Sequence, residues 1–127
     1  MDATQTQSAI EALYTTAHWL HSQERARDAA CVFRAMVCVA PTDERGWLGL
    51  GACHEAIEQP EVALEMYATG AAVARAARCE IARCRIFRSI DQRRDALDAL
   101  DSAQELLTED ATELGALIAR EREVCHG

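Results

Sequence analysis

The stretch WLGLGACH, from Trp47 to His54, decides the fold, together with Ala63 and Tyr67 that follow it. Its apolar residues recur at spacings of three and four, which is the period of an α-helix that buries one face. The small residues Gly51 and Ala63 would let two paired helices approach closely, while the large residues fill the gaps between neighbouring pairs. The stretch therefore predicts two helices that form a hairpin.

The rest of the 127 residues extends this helical pattern in both directions. Half of the residues are hydrophobic, 27% are charged, and proline occurs only at Pro41 and Pro60, so we expect one all-α domain without a strand. Between Ala71 and Ile90 no glycine or proline marks a boundary, although a helix break is needed near Ala74 to Ala77. We expect seven helices with short connections.

The segment from Trp47 to Tyr67 matches the tetratricopeptide (TPR) pattern Trp-x-x-Leu-Gly-x-x-Tyr followed by Ala-x-x-x-Phe, with His54 in place of the tyrosine. Weaker copies lie about 34 residues to either side. They carry Leu13, Ala17, Leu20, Ala29, Phe33 and Pro41 in the first copy, and Cys84, Phe87, Ala96, Leu100 and Ala103 in the third. The pattern implies a single domain over 1–127, with repeats at about 10–41, 44–75 and 77–108 and a capping helix at about 111–124. Three stacked hairpins of this kind form a right-handed TPR superhelix with a concave side.

Within the tetratricopeptide proteins, the chain resembles the chaperones that hold type III secretion translocator proteins in the bacterial cytoplasm, the class II secretion chaperones. The resemblance covers roughly Ala9 to Leu117. It implies a non-enzymatic, virulence-associated chaperone without a cofactor, which binds a short extended segment of a hydrophobic secreted translocator and keeps it soluble. The residues that carry it are Trp47 to Cys53, Ala63-Leu64 and Tyr67 to Ala71 in the central repeat, and Leu13-Tyr14, Asp28-Ala29 and Val32-Phe33 in the first.

The chain departs from this family at two places. Members carry a longer segment before the first repeat that is implicated in self-association, whereas about eight residues precede the expected first helix here, so we expect at most a weak homodimer. The proline-marked linker between the second and third repeats is also missing, so the region from Arg75 to Arg88 is expected to diverge in shape.

The resemblance also implies which residues line the concave groove. The first helix of each hairpin faces inward there, and four of its positions point toward a bound peptide. Apolar side chains among them would form pockets flanked by charges. If the repeat register is off by one, Tyr14 and Ile81 are core residues instead. The candidate partner-binding residues are Tyr14, His18, His21, Arg45, Leu48, Ala52, Glu55, Arg78, Ile81, Arg85 and Arg88, with Glu11 at the first position of the first helix.

The charge pattern separates further function classes. A formal net charge of −8, from 21 acidic and 13 basic residues, disfavours nucleic-acid binding, which needs a dense basic surface. No apolar stretch is long enough to span a membrane, and the polar N-terminus lacks a signal pattern, so we expect a soluble protein that is not exported by the usual route.

The charges are distributed unevenly along the chain: arginines are concentrated between Arg75 and Arg94, and acidic residues between Asp95 and Glu113. These helices could pair with each other, or Arg78, Arg85 and Arg88 could contact acidic groups of a partner.

The six cysteines stand where small apolar residues would fit inside helices, as at Cys31 and Cys53. We expect reduced, mostly buried thiols, and no metal site, because no Cys-x-x-Cys pair occurs and the His18-His21 pair lacks a third ligand. A thiol or metal sensor that uses Cys79, Cys84, Cys125 and the histidines is an alternative function of a different class. No phosphate loop or nucleophile motif indicates an enzyme.

Two further alternatives share the fold. One is a chaperone or assembly factor for a needle or export-gate component of the same secretion system, and the other is a general TPR adaptor for protein–protein interaction. An adaptor of the carboxylate-clamp kind is excluded, because its groove needs lysine and asparagine and the chain has neither.

Overall fold

A computed structural model describes residues 2–127, which form seven α-helices and no strand. This confirms the all-α class, the number of helices and the break near Ala74 to Ala77. The helices are α1 (Ala3–Ser22), α2 (Ala26–Val39), α3 (Glu44–Ala56), α4 (Pro60–Val73), α5 (Ala77–Ser89), α6 (Arg93–Glu105) and α7 (Thr112–His126).

The first helix is longer than the sequence indicated. It begins at Ala3, and not near Ile10, because Asp2 and Gln5 form a capping box in which each side chain accepts a hydrogen bond from the backbone of the other. The expectation of about eight residues before the first helix is therefore wrong: among the described residues, only Asp2 precedes α1. The last helix likewise continues past the expected Val124, to His126.

The helices pack as three successive pairs, α1 with α2, α3 with α4, and α5 with α6. Neighbouring pairs join through α2–α3 and α4–α5 contacts, while α1 touches α3 and α3 touches α5 along one side. The seventh helix packs on α6 and α5. Helices α1, α3 and α5 therefore stand side by side, and the surface that they share is called the groove below.

Glycines of the WLGLGACH stretch allow this close packing. A Cβ atom added at Gly49 would overlap the ring of Phe33 in α2, and one at Gly51 would overlap the ring of Tyr67 in α4. Larger residues at these positions would push α3 away from both neighbouring helices. The small residues hence set the spacing between helices, as the sequence indicated.

The three hairpins use the same turn. Glu24, Glu58 and Asp91 each follow a helix with φ close to 60°, the left-handed conformation that glycine adopts most easily. The backbone N–H after each one reaches back to a carbonyl of the preceding helix: Arg25 to Leu20, Gln59 to His54 and Gln92 to Phe87. This pattern of a left-handed residue with a returning hydrogen bond is typical of helix C-termini.

The cysteines are free, and most of them are buried, as expected. Cys53, Cys79, Cys84 and Cys125 lie in the core, where Cys53 and Cys79 contribute to the clusters that hold adjacent hairpins together. Cys31 and Cys38 are exposed on α2. The expectation that Cys31 is buried is wrong, because it lies on the α2 face opposite Ala29 and Phe33, which pack against the neighbouring helices.

Candidate functional site

The groove contains two pockets separated by the side chain of Leu48. The first pocket, of about 240 Å³, lies between α1 and α3. The second, of about 470 Å³, lies between α3 and α5 and is closed on one side by α7. The first pocket is lined by Tyr14, His18, His21, Phe33, Arg45, Leu48, Gly49 and Ala52, and the second by Leu48, Glu55, Tyr67, Arg78, Ile81, Ala82, Arg85 and Leu117.

The first pocket has an aromatic wall under a charged rim. The ring of Tyr14 lies 5.8 Å from that of His18 and 6.5 Å from that of Phe33, between ring centroids. The Arg45 guanidinium lies over the Tyr14 ring, with its central carbon 4.5 Å from the ring centroid, in cation–π geometry. The aromatic wall and the charged rim together suit an apolar side chain of a bound peptide, whose backbone would stay near water.

Two carboxylates hold Arg45 in place. Its Nη2 atom lies 2.8 Å from Glu11 of α1 and 2.8 Å from Asp43, which caps the N-terminus of α3. Hydrogen bonds from Arg45 lower the pKa of both carboxyls, and the two carboxylates in turn raise the pKa of Arg45. The Glu11–Arg45 pair therefore links α1 to α3 at the edge of the first pocket.

The second pocket is built around a hydrogen bond from Tyr67 to Glu55. The phenol O–H donates to Glu55 Oε2 at 2.5 Å, and burial, with the adjacent carboxylate, raises the pKa of Tyr67. Ile81 is almost fully buried in the core and presents one edge to the pocket, while Leu48 and Leu117 complete its apolar wall. None of the ion pairs among residues 2–127 includes Glu55.

The arginines of α5 are already paired within the chain. Arg78 binds Glu44 of α3 at 3.0 Å, and Arg85 and Arg88 both bind Glu121 of α7, at 3.0 and 2.5 Å. Burial opposes ionisation of Glu121, but the hydrogen bonds from the two arginines outweigh it and hold the pKa of that carboxyl below its ordinary value. The carboxylate partners of these three arginines thus come from α3 and α7.

The expected charge pairing between α5 and α6 is wrong. Within residues 2–127 the acids of α6 form no ion pair with α5, and Asp101 pairs instead with Arg122 of α7 at 2.7 Å. The reason is geometric: α5 and α6 meet through the apolar residues Ala77, Ile81, Ala96 and Leu100, so their charged faces point away from each other.

Ten of the eleven candidate groove residues line one of the two pockets, and Arg88 lines neither. Whether they bind a partner stays a prediction. The two register alternatives, groove residue or core residue, each describe one of the two residues in question. Ile81 is a core residue with one edge at the second pocket, whereas Tyr14 is half-buried and lines the first pocket. The sequence pattern did not indicate the contributions of Phe33, Gly49, Tyr67, Ala82 and Leu117.

The repeat pattern missed Phe33 and Tyr67 for a reason that the structure explains. The pattern assigns Phe33 and Tyr67 to second helices, which lie behind the groove. Gly49 leaves an opening through which the Phe33 ring reaches the first pocket, and Gly51 does the same for Tyr67 at the second. A glycine opposite an aromatic residue of the paired helix is the signal that could have identified them.

The described residues hold no group of three or more histidine, cysteine, aspartate or glutamate side chains placed to bind a metal ion. No helix within residues 2–127 is long and apolar enough to cross a membrane.

Burial raises the pKa of the Cys53 thiol to about 11 and that of Cys79 to about 12, so both are protonated near neutral pH.

No family model matches the chain. A curated relative, the Low calcium response locus protein H of Yersinia pestis, is 37% identical over 62 residues, which cover 49% of this chain and 37% of the relative's length. The translocator chaperone SycD of Yersinia enterocolitica, solved with a peptide of the translocator YopD, superposes with a TM-score of 0.76 at 27% identity, over 94% of this chain and 93% of SycD.

The chain resembles the type III secretion translocator chaperones. A second SycD structure gives a TM-score of 0.80 over 94% of this chain and 90% of that one, again at 27% identity. PcrH of Pseudomonas aeruginosa, at 24% identity and a TM-score of 0.79 over 94% and 93% of the two chains, shares the fold. The resemblance and the TPR-like helical fold inferred from the repeat residues are both confirmed.

Proposed function

We propose that this chain is a non-enzymatic chaperone of a type III secretion system, which binds an extended segment of a hydrophobic translocator in its groove and keeps it soluble in the bacterial cytoplasm. The observation that carries the proposal is the pair of apolar pockets on either side of Leu48, each with a charged rim. A groove with spaced apolar pockets suits a peptide that has apolar anchors and a solvated backbone. SycD, which has a similar fold, is solved with a translocator peptide.

Under this proposal, each kind of groove residue has its own role. Tyr14, Leu48 and Leu117 supply apolar contact area for the anchors, while the almost fully buried Ile81 shapes the second pocket from the core. His18, Glu55 and the rim arginines supply hydrogen-bonding groups for the backbone between the anchors. Because a membrane-active protein must expose apolar segments, burial of such a segment in the groove lowers its tendency to aggregate. This is a holding function, which needs no reacting group.

The test is the double substitution Tyr14→Ala with Leu48→Glu. Tyr14 belongs to the aromatic wall of the first pocket, and Leu48 separates the two pockets. We expect the double substitution to abolish co-purification of a co-expressed translocator from the same secretion system, because it removes the Tyr14 ring from the first pocket and puts a charge between both pockets. Helicity, measured by circular dichroism, should stay at the wild-type level, because neither residue is fully buried.

The matched control is Thr16→Ala with Val73→Glu, two exposed positions on α1 and α4 outside both pockets. This variant should retain the client. A Tyr14→Ala, Leu48→Glu protein that is folded and still holds the translocator would show that the groove is not the binding site. Retention of a needle or export-gate protein, with no affinity for a translocator, would instead identify the chain as an assembly factor for that component.

A further inference from the structure

Two thiols from different helices meet in the core beside the second pocket. The Sγ atoms of Cys84 in α5 and Cys125 in α7 lie 3.9 Å apart, and both residues are buried. They are separated by 41 positions in the sequence, so a bond between them would close a long loop. The pair lies where α7 attaches to the rest of the molecule.

The two sulfur atoms are already in van der Waals contact. A disulfide has a sulfur–sulfur distance of about 2.05 Å, so the two sulfurs must approach by roughly 2 Å. Rotation about the Cα–Cβ bond of each cysteine changes the distance between the sulfurs.

Burial in the core limits the reactivity of Cys84. It raises the pKa of this thiol, with a smaller effect from the Cys125 sulfur, so the reactive thiolate of Cys84 is scarce near neutral pH. Reaction then requires a transient opening. Helix α7 offers one, because Cys125 lies in its last turn, and the ends of helices open most easily.

We propose that Cys84 and Cys125 form a disulfide under oxidising conditions and thereby staple α7 to α5. With hydrogen peroxide as oxidant, one thiol attacks a peroxide oxygen to give a sulfenic acid and one water. The second thiol then attacks that sulfur and displaces the hydroxyl group as a second water, which leaves the sulfur–sulfur bond. Two thiols have lost two electrons and two protons, and the peroxide has gained them.

The staple would act on the groove through α7. Leu117, two turns before Cys125, forms part of the wall of the second pocket. Between these two residues, Glu121 is held by Arg85 and Arg88. In the reduced protein the position of this wall depends on ion pairs and apolar packing, whereas the disulfide would fix it covalently. The oxidised protein would therefore have a second pocket of less adjustable shape.

The test uses the protein with Cys31→Ser and Cys38→Ser, which removes the exposed thiols and with them bonds between molecules. The protein is treated with hydrogen peroxide, denatured, alkylated and digested with trypsin. We expect residues 84–85 linked to residues 123–127, two hydrogens lighter than the sum of the free peptides. Cys53 and Cys79, which are buried in other clusters, should be recovered alkylated. Dithiothreitol should restore both free thiols.

A second measurement follows the staple in the folded protein. Oxidation should raise the midpoint of thermal unfolding and slow hydrogen exchange in α7, because a closed loop restricts the unfolded chain. With Cys125→Ser added, both effects should vanish. The proposal is overturned if Cys84 and Cys125 remain fully alkylatable at peroxide levels that consume Cys31 and Cys38 of the wild-type chain, or if either links mainly to Cys53 or Cys79. No client is present in these measurements, so their result does not depend on the proposed function.

Discussion

At the hairpin turns and in the pockets, the contribution of a single residue to the free energy of unfolding or to client affinity can be measured by substitution. Glu24, Glu58 and Asp91 adopt a left-handed backbone conformation, which costs an L-residue with a side chain roughly 1–2 kcal/mol. Glycine avoids this cost but loses more entropy on folding, by about 0.5–1 kcal/mol. The balance favours glycine at such positions and disfavours it inside a helix.

Glu58→Gly should therefore raise the free energy of unfolding by about 0.5 kcal/mol, measured by urea denaturation. Glu58 is exposed and none of the side-chain hydrogen bonds of residues 2–127 includes it, so the substitution removes no contact. The control is Glu65→Gly, an exposed position within α4, which should lower the free energy of unfolding by about 1 kcal/mol. Equal destabilisation by both substitutions would contradict the assignment of turn strain.

Glu55 differs from the other acids of the groove, because Tyr67 donates to it but no arginine neutralises it. A client held in the second pocket should therefore place a basic side chain there. Glu55→Gln keeps the hydrogen bond to Tyr67 and removes the charge. We expect about a fivefold loss of client affinity, the equivalent of roughly 1 kcal/mol, and a weaker dependence on salt concentration. An unchanged affinity and salt dependence, measured by calorimetry, would remove Glu55 from the specificity of the groove.

Among the elements, α7 is attached to the rest of the molecule through both apolar packing and ion pairs. It packs on α5 and α6, and its buried Glu121 binds Arg85 and Arg88. The pKa of Glu121 is lowered in the folded state, so its ionised form stabilises the fold at neutral pH. That contribution is lost as the pH falls from the ordinary glutamate value of about 4.3 through the lower folded value.

Glu121→Gln should lower the free energy of unfolding by about 1–2 kcal/mol at pH 7, a range reduced from that of a fully buried pair because Arg85 is half exposed. The difference from wild type should shrink as the pH falls below 4. Denaturant unfolding at a series of pH values measures both effects. Glu123→Gln, on the exposed face of α7, is the control and should leave stability unchanged. A difference that is constant from pH 7 to pH 3 would show that ionisation of Glu121 does not hold α7.

At the scale of the whole molecule, the sequence predicts the helical fold well, because the repeat pattern is a pattern of side-chain volumes. Gly51 and Ala63 appear in it as small residues, and the structure uses them for close helix contacts. Charge pairing was predicted poorly. Arg85 and Arg88 find Glu121, more than 30 positions away, and neither the spacing nor the net charge of −8 indicates that partner.

The residues of the groove were predicted in part, less completely than the fold and better than the charge pairing. Its first-helix residues follow from the repeat register, and ten of the eleven candidates line a pocket. Phe33 and Tyr67 reach it from behind, through openings at Gly49 and Gly51. Such contributions depend on three-dimensional packing between two helices, which a one-dimensional pattern does not contain.

Leu48 has a thermodynamic consequence, because it is the common wall of both pockets. A bulky group in one pocket that pushes this side chain toward the other pocket narrows that other pocket, so the affinity of each pocket depends on what fills its neighbour. By linkage the effect is reciprocal: two separate fragments would compete across Leu48 and show negative cooperativity. If the groove binds a client as proposed, it would select the two anchors as a matched pair, in which a small group on one side makes room for a large one on the other.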